Sequence, residues 1–487
     1  MNYDEFEQAR FDKVERLRHS GVEPYPVRFD RSHEAAALQQ QYEAIEPGAS
    51  TGEQASVAGR LMLKRGHGKL AFGVLRDATG EIQLMAALDA LGDDGMALFE
   101  DLDLGDVVGA RGEVIRSKRG ELSVRIGELV LLAKAIRPLP EKWSGLKDLE
   151  TRYRRRYLDL IVNPEARRVA LERSRIVASL RTSLTERGFV EVETPMLQTQ
   201  PGGASARPFV THMNALELDL YLRVAPELYL KRLVVGGLEK VFELNRNFRN
   251  EGMSPRHNPE FTMLEVYQAY ADYHDMMQLT QELIQDAAGV GSVNYQEREI
   301  NLGGPWRRAP LLDLVREAIG MQELSYEMTI EQVRKVCDEH GVPHEGSWGV
   351  GKLITELFEK HVEGNLWDPT FVTDYPVEVS PLARLHRDDD HVTERFELII
   401  AGREIANAFS ELTDPTDQRS RFEAQARAKA AGDAEAMSVD EDYLRALEYG
   451  MPPAGGLGVG VDRLVMLLTD QPTIREVILF PTMRPEG

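Results

Sequence analysis

The sequence predicts an α+β protein in which a small five-stranded β-barrel precedes a larger domain of strands and helices. Three observations carry this. Five short runs rich in β-branched residues lie between residues 55 and 134, a Pro-bearing linker follows them, and strand patterns mixed with long helical ones run on from about Asp148. With 487 residues and 42% hydrophobic content, the chain has the size and composition of a globular protein of two or three domains.

Residues 1–54 read as an N-terminal helical extension, with apolar positions at Phe6, Phe11, Val14 and Leu17 and then at Ala36, Leu38, Tyr42 and Ile45. The barrel, 55–145, is built from "SVAGRLMLKR", "LAFGVLRD", "EIQLMAA", "DVVGARGEVIRS" and "ELSVRIGELVLLAK", with turns at Thr79-Gly80 and Arg119-Gly120. A helical stretch, "GMALFEDL", falls between the third and fourth runs. Five strands with a helix at that place suggest an OB-type barrel, whose open face takes up single-stranded nucleic acid. The pattern alone leaves open a barrel that docks only another domain. "AIRPLPEKWSG" is the linker, and residues 146–487 form the second domain.

Composition excludes several function classes. The single cysteine, Cys337, cannot build an intramolecular disulfide framework, and no Cys/His cluster has zinc-site spacing. The N-terminus is charged throughout and no run of about 18 apolar residues occurs, so a cytoplasmic protein without membrane segments is expected. A net charge of −22 argues against nonspecific nucleic-acid binding. Between residues 55 and 142, however, basic and acidic residues are equal in number, so the barrel is a neutral module inside an acidic chain.

In the second domain a long helix is expected over roughly 164–187, and residues 272–365 read as a helical insertion, with amphipathic stretches such as "EQVRKVCDEH" and "GKLITELFEKHV". The most informative stretch is "FRNEGMSPRHNPEFTMLE", 248–265. If 241–251 is a strand, alternation places Glu243, Asn245, Asn247, Arg249 and Glu251 on one face and Phe242, Leu244 and Phe248 on the other. A return strand, "FTMLEVYQAY", collects Phe261, Met263, Glu265 and Tyr267 on one face, and the Gly- and Pro-bearing loop between them exposes Arg256 and His257 at a hairpin tip. Cations, an aromatic plate and a carboxylate on one surface suit a nucleotide with a cation. A solvated strand face with surface ion pairs would show the same alternation.

Two further segments remove that alternative. "RGFVEVETPML" (187–197) is a helix end, a short strand and Pro195; "GGLGVGVDRLVMLL" (455–468) is a glycine-alternating strand running into a helix that opens with Asp462 and Arg463. The three segments, in this order, resemble the three motifs of the class II aminoacyl-tRNA synthetases. The resemblance implies a core of antiparallel sheet flanked by helices, a homodimer built on the first motif, and an ATP site made by the other two. An OB domain ahead of such a core marks the subgroup for aspartate, asparagine and lysine.

Within it, "PGGASARPF", "APELYLKRL", "RHNPEFTMLE" and "GREIANAFSEL" resemble the lysyl-tRNA synthetases. That resemblance implies ATP-dependent activation of L-lysine and its transfer to tRNA(Lys), with Mg²⁺ as cofactor. Glu265 and Glu411 match the residues that hold the lysine ε-ammonium, with Tyr267 beside it. Glu227 and Gly203 match those receiving the α-amino group, Arg249 and Asn407 those holding the carboxylate, and Phe409 lines the same pocket. For ATP, Arg249 matches the α-phosphate ligand, Arg256 and His257 the far-phosphate ligands, Phe261 and Arg463 the adenine sandwich, and Glu251 and Asn258 neighbouring contacts. Arg249 and Arg463 are the expected catalytic residues. Glu397 and Glu404 match the magnesium ligands, and Phe72, Gln83 and Glu121 the anticodon readers. Met85 stands where an aromatic is expected, which leaves base stacking to Phe72. A site that pairs its buried carboxylates with the ligand can reject analogues by about 10⁴–10⁵.

Asn407, Phe409 and Glu411 share a parity that Glu404 does not, so a bulge is expected between Glu404 and Asn407. Two rival readings have specific signatures. Transfer of lysine to a lipid or protein acceptor goes with membrane segments or with a missing OB domain, and a non-catalytic tRNA-binding regulator would lose phosphate and metal ligands that this sequence keeps.

Overall fold

The computed structural model describes residues 4–140, 146, 148–430, 432 and 436–486, without the His67 side chain. The chain divides into two compact units, Met1–Lys147 and Asp148–Gly487. The linker reading for 135–145 lies partly outside the described residues.

The first unit is a closed barrel of β1 (Ser50–His67), β2 (Leu70–Arg76), β3 (Glu81–Ala87), β4 (Val107–Arg116) and β5 (Leu122–Ala133), in the order β1-β2-β3-β5-β4. Helix α3 (Leu88–Asp101) sits between β3 and β4, where the sequence placed it, and buries Met96 and Phe99. Inward positions alternate along each strand, with Ala71 and Leu75, Ile82, Leu84 and Ala86, and Val124 and Ile126 all buried. The extension is part of this unit. From α1 (Glu5–His19) Leu17, and from α2 (Ala35–Gln41) Ala35 and Leu38, join the barrel core. The expected apolar face is corrected at two places: Phe6 is 76% exposed, and Ala35, not Ala36, packs inward. β1 also begins within the stretch read as extension.

The second unit opens with α4 (Leu149–Arg154), α5 (Arg156–Val162) and the long α6 (Pro164–Glu186), capped by Asn163 with Pro164 in its first turn. After it come β6 (Val190–Glu191), β7 (Leu197–Gln198), β8 (Val210–Met213), β9 (Leu218–Leu222), α7 (Glu227–Val235), and the hairpin β10 (Lys240–Phe248) with β11 (Glu260–Ala269). β7, β9 and β8 form a small separate sheet that the sequence reading did not anticipate.

The segment 272–365 is not simply helical. It holds α8 (Tyr273–Ala288), the hairpin β12 (Ser292–Tyr295) and β13 (Arg298–Asn301), the strand β14 (Arg307–Pro310), then α9 (Leu311–Ile319), α10 (Ile330–Glu339) and α11 (Val350–His361). α8 packs on the main core and β14 is the outer strand of the main sheet, while α9 to α11 share a core of their own. The chain then supplies β15 (Thr370–Thr373), β16 (Arg395–Ile399), β17 (Glu404–Ser410), α12 (Pro415–Ala430), α13 (Glu441–Glu448), β18 (Ala454–Gly460) and α14 (Val461–Thr469).

The main sheet has eight strands in the order β14-β15-β16-β17-β18-β11-β10-β6, antiparallel except for the outermost pairs β14/β15 and β6/β10. One face carries Phe242, Leu244, Leu264 and Val266 into a core with α6, α8 and α14. Val241, Tyr267 and Ala269 point to the opposite face, toward α7 and α13. The alternation read from the sequence holds for both hairpin strands, although Arg249 and Glu251 lie in the loop beyond the end of β10.

Glu243, on the same parity as the site residues, has a structural partner. Its carboxylate is 2% exposed and accepts from the fully buried Arg223 at 2.6 Å and from Thr194 at 2.7 Å. Removing one member of a buried pair strands the other charge. Arg223→Leu is expected to cost about 3–5 kcal/mol in equilibrium urea unfolding; a loss under about 1 kcal/mol would show that the pair is not desolvated as the packing requires.

Candidate active site

A cavity of about 410 Å³ opens on the face of the main sheet formed by β11, β17 and β18. Its floor is the alternate set of β11, Phe261, Met263, Glu265 and Tyr267, which the pleat turns away from the core residues Leu264 and Val266. β18 runs beside β11, with Gly458 opposite Glu265 and Gly456 opposite Tyr267, so no side chain of that strand stands over the floor there. A Cβ at Gly456 would lie 2.6 Å from the Tyr267 ring and collide with the Glu411 carboxylate. Gly203, at φ +90°, closes another wall where a Cβ would meet that of Glu227 at 2.9 Å.

The β17 wall needs the bulge. Leu398 pairs with Ala406 but Ile399 pairs with Glu404, so Ile405 is the extra residue in the ladder. This slip lets Glu404, Asn407 and Phe409 all line the cavity, as the conflict of parity required.

One end of the cavity is acidic. Glu227, at the start of α7, and Glu265 are both buried, and the Tyr267 hydroxyl donates to Glu265 at 3.3 Å. Burial, reinforced by the nearby Glu227 charge, pushes the Glu265 carboxyl up to about 8. Glu411 is 1% exposed and does not line the cavity. Its carboxylate is engaged by Lys231 of α7, and burial pushes it up to about 8 even so. Lys231 is fully buried, and its ammonium also donates to Glu227 at 2.6 Å.

The other end is cationic and mixed. The Arg249 guanidinium lies 5.1 Å from the centre of the Phe261 ring, and its buried Nε has no hydrogen-bond partner among the described residues. Burial lowers its pKa, which leaves a cation in need of an anion. Arg463, at the start of α14, donates to the Glu404 carboxylate at 2.8 Å and lies 3.1 Å from the His257 ring nitrogen. Arg256 and His257 are exposed at the hairpin tip, as expected. Glu251 and Asn258 also line the cavity, and Asn258 donates its side-chain amide to the Glu260 carbonyl at 2.6 Å and so fixes the hairpin.

Glu397 and Glu404 face the cavity from adjacent strands, β16 and β17. Burial, then the charge of Glu404, raises Glu397 to about 7, while Arg463 and Arg249 outweigh burial at Glu404 and lower it. Among the described residues no cluster of three or more His, Cys, Asp or Glu could hold a metal by protein ligands alone.

Of the sixteen residues expected around lysine, ATP and metal, Glu411 alone stands behind the cavity wall. Sequence reasoning missed Lys231 and Arg395. Arg395 donates to Glu397 at 2.7 Å and to the Asn407 side chain at 3.1 Å, joining the expected metal and carboxylate ligands. The i,i+4 spacing of Glu227 and Lys231 was visible, but such a pair normally marks a solvated helix face.

On the barrel, Phe72, Gln83 and Glu121 share the outer parity of their strands or strand ends, opposite the buried Ala71, Ile82 and Leu122. Phe72 is half-buried outside the core, with the Arg65 guanidinium 5.6 Å from its ring centre and Met85 opposite it. Gln83 is 7% exposed, and Glu121 is exposed at the turn into β5.

Residues 148–484 match the family described as tRNA synthetases class II (D, K and N), and residues 55–132 match the OB-fold nucleic acid binding domain. The lysine–tRNA ligase of Carboxydothermus hydrogenoformans is 54% identical over 486 residues, covering 99% of this chain and 98% of its own length. The chain belongs to the lysine–tRNA ligase family. The lysine–tRNA ligases of Syntrophomonas wolfei and Moorella thermoacetica, each 52% identical, are matched over 98% and 97% of their lengths. Membership accounts for a cavity that joins an acidic end to an aromatic and cationic one.

In the unliganded protein, carbon-13 NMR of labelled glutamate side chains is expected to show carboxyls titrating near pH 8, with one lost in Glu265→Gln. A spectrum in which every glutamate titrates in the ordinary range, about 4.3, contradicts the burial of this end.

Proposed function

We propose that the cavity binds L-lysine and ATP side by side, forms lysyl-adenylate with departure of pyrophosphate, and transfers the lysyl group to the 3′-hydroxyl of tRNA(Lys) with departure of AMP. The observation that carries this reading is the pair of buried, cavity-lining carboxylates, Glu227 and Glu265, opposite Arg249, whose buried Nε has no hydrogen-bond partner among the described residues. Glu265 with Tyr267 takes the ε-ammonium, and Glu411 reinforces the negative potential from behind. Glu227 beside Gly203 takes the α-amino group, whose approach a side chain at 203 would block. Arg249 and Asn407 orient the carboxylate, and Phe409 packs along the aliphatic stem. A neutral amino acid in this place would leave carboxylates buried without partners.

For ATP, Phe261 is the plate on which adenine stacks and Arg463 its opposite face, with Glu251 at the base edge. Arg249 meets the α-phosphate, and Arg256 and His257 meet the far phosphates. The lysine carboxylate is already ionised, so attack on the α-phosphorus needs no general base. Catalysis is positioning plus charge neutralisation by Arg249 and Arg463. Glu397 and Glu404 would hold Mg²⁺. Two facing carboxylates, one of them raised by burial and then by the charge of the other, suit a hard divalent cation whose other ligands are phosphate oxygens and water. When bound, the ion supplies charge neutralisation at the phosphates.

The outer face of the barrel, with Phe72 as stacking ring and Gln83 and Glu121 as polar readers, is the proposed anticodon contact. A homodimer through the segment around β6 to β9 is supported by apolar side chains left exposed there, among them Val190, Leu197, Val210 and Leu216. No helix of the described residues is long and apolar enough to cross a membrane, and a cytoplasmic setting suits the one buried thiol, Cys337.

Arg249→Ala is expected to slow lysine-dependent pyrophosphate exchange by at least about 10²-fold, whereas a near-normal rate would remove Arg249 from the reaction. Glu265→Gln is expected to cost about 2–5 kcal/mol in lysine binding.

A further inference from the structure

The Glu227–Lys231 pair lies one turn apart on α7, yet both residues are buried and the ammonium reaches out of its own helix to Glu411, just past the end of β17. Lys231 sits 5.2 Å from the Phe409 ring centre and 6.0 Å from that of Tyr267, so the rings that line the cavity also enclose it. It is not itself a lining residue. A long cation taken wholly out of water to join two elements of the cavity wall costs several kcal/mol in desolvation before any pairing. An ordinary stabilising i,i+4 pair stays at the surface and incurs no such cost.

We infer that Lys231 is a specificity-determining positioning residue, the resident counter-ion of Glu227 and Glu411, which trims the charge of the acidic end to that matched by the two ammonium groups of a diamino acid. Three carboxylates gather there: Glu227, Glu265 and Glu411. One internal ammonium leaves two negative charges, and the α- and ε-ammonium groups of lysine supply two positive ones. The substrate carboxylate is balanced separately by Arg249. Without Lys231 a bound lysine would face three carboxylates, and the one left over would take up a proton or turn away, carrying its wall of the cavity with it. The ammonium also has three donors, and it ties Glu227 on α7 to Glu411 beyond the end of β17.

The charged and titratable groups around it are few. Glu227 belongs to its own helix, Glu411 follows β17, Glu265 and Tyr267 lie on β11, and Tyr443 lies on α13; Arg395 acts on Glu227 from β16, and Arg223 and Arg249 act on Glu265. Burial alone would lower the Lys231 ammonium, but Glu227 and Glu411 outweigh it and hold the charge in place.

This inference rests on lysine being the amino acid activated, so wild-type lysine-dependent pyrophosphate exchange is the first measurement, and its absence would withdraw the underlying reading together with the inference. Given that activity, Lys231→Met removes the charge at similar length, and Lys231→Gln keeps a donor should the methionine variant fail to fold. Both are expected to raise the lysine KM at least about tenfold at pH 7 while the ATP KM stays within about threefold. With the cation gone, the carboxyls rise further and must still ionise to hold the ligand. The pH at which the lysine KM is lowest is therefore expected to move upward by about one unit or more. A lysine KM within about threefold of wild type overturns the proposal, as does a joint rise of both KM values with a fall in kcat on an unchanged pH profile, the signature of a merely structural role.

Discussion

The rest of the structure depends on carboxylates kept out of water without enough cations among the described residues to pair them. Glu227 and Glu265 line the acidic end of the cavity, Glu411 stands behind it, and only Lys231 is bonded to any of them as a counter-ion among the described residues. An isolated buried carboxylate is so unfavourable that it protonates instead, and both Glu265 and Glu411 are displaced in that direction. The cavity therefore carries a deficit of positive charge that an ammonium-bearing ligand would relieve. Recognition and desolvation are the same interaction seen from two sides.

Much of the scaffold keeps that arrangement from collapsing. The β10–β11 hairpin commits one face to the core with α6, α8 and α14, so its other face is forced to present Glu265 and Tyr267. The glycines of β18 leave the space above them open, and the extra residue at Ile405 brings Glu404 onto the wall that Asn407 and Phe409 already share. At the opposite end, the buried Nε of Arg249 has no partner among the described residues, and Arg463 and Arg395 hold the carboxylates of Glu404 and Glu397. Acid at one end and base at the other set the direction in which a substrate lies.

Where period and parity decide the structure, the sequence was a good guide. The two-residue alternation of the hairpin separates the core residues from those that line the cavity, and the bulge follows from a parity conflict between Glu404 and Asn407. The helical reading of 272–365 failed where local signals are weak. The turn between β12 and β13 uses Gln296 and Glu297 at positive φ in place of the glycine or asparagine that marks such turns, and β14 is four residues whose strand character comes from its parallel partner β15. Lys231 was illegible for a different reason. Its spacing from Glu227 reads as a surface pair, and only the fold reveals that the helix face carrying it is buried against β11 and β17. Glu411, read as a wall of the pocket, lies behind it in contact with that same α7 cation, whose burial the sequence did not signal.

The central claim is that lysine binding completes an ion array whose carboxyls are partly protonated when the site is empty. Its most direct test is isothermal calorimetry of lysine binding at pH 7 in buffers of different ionisation enthalpy, repeated at higher pH. A carboxyl raised to about 8 is protonated below that pH in the free site and must ionise to meet an ammonium, so affinity rises with pH and protons are released. The account predicts a net proton release at pH 7 that fades as the pH passes the range of these carboxyls. Binding with no proton exchange and no pH dependence across that range would mean that the carboxylates are already ionised and solvated, and would contradict the claim.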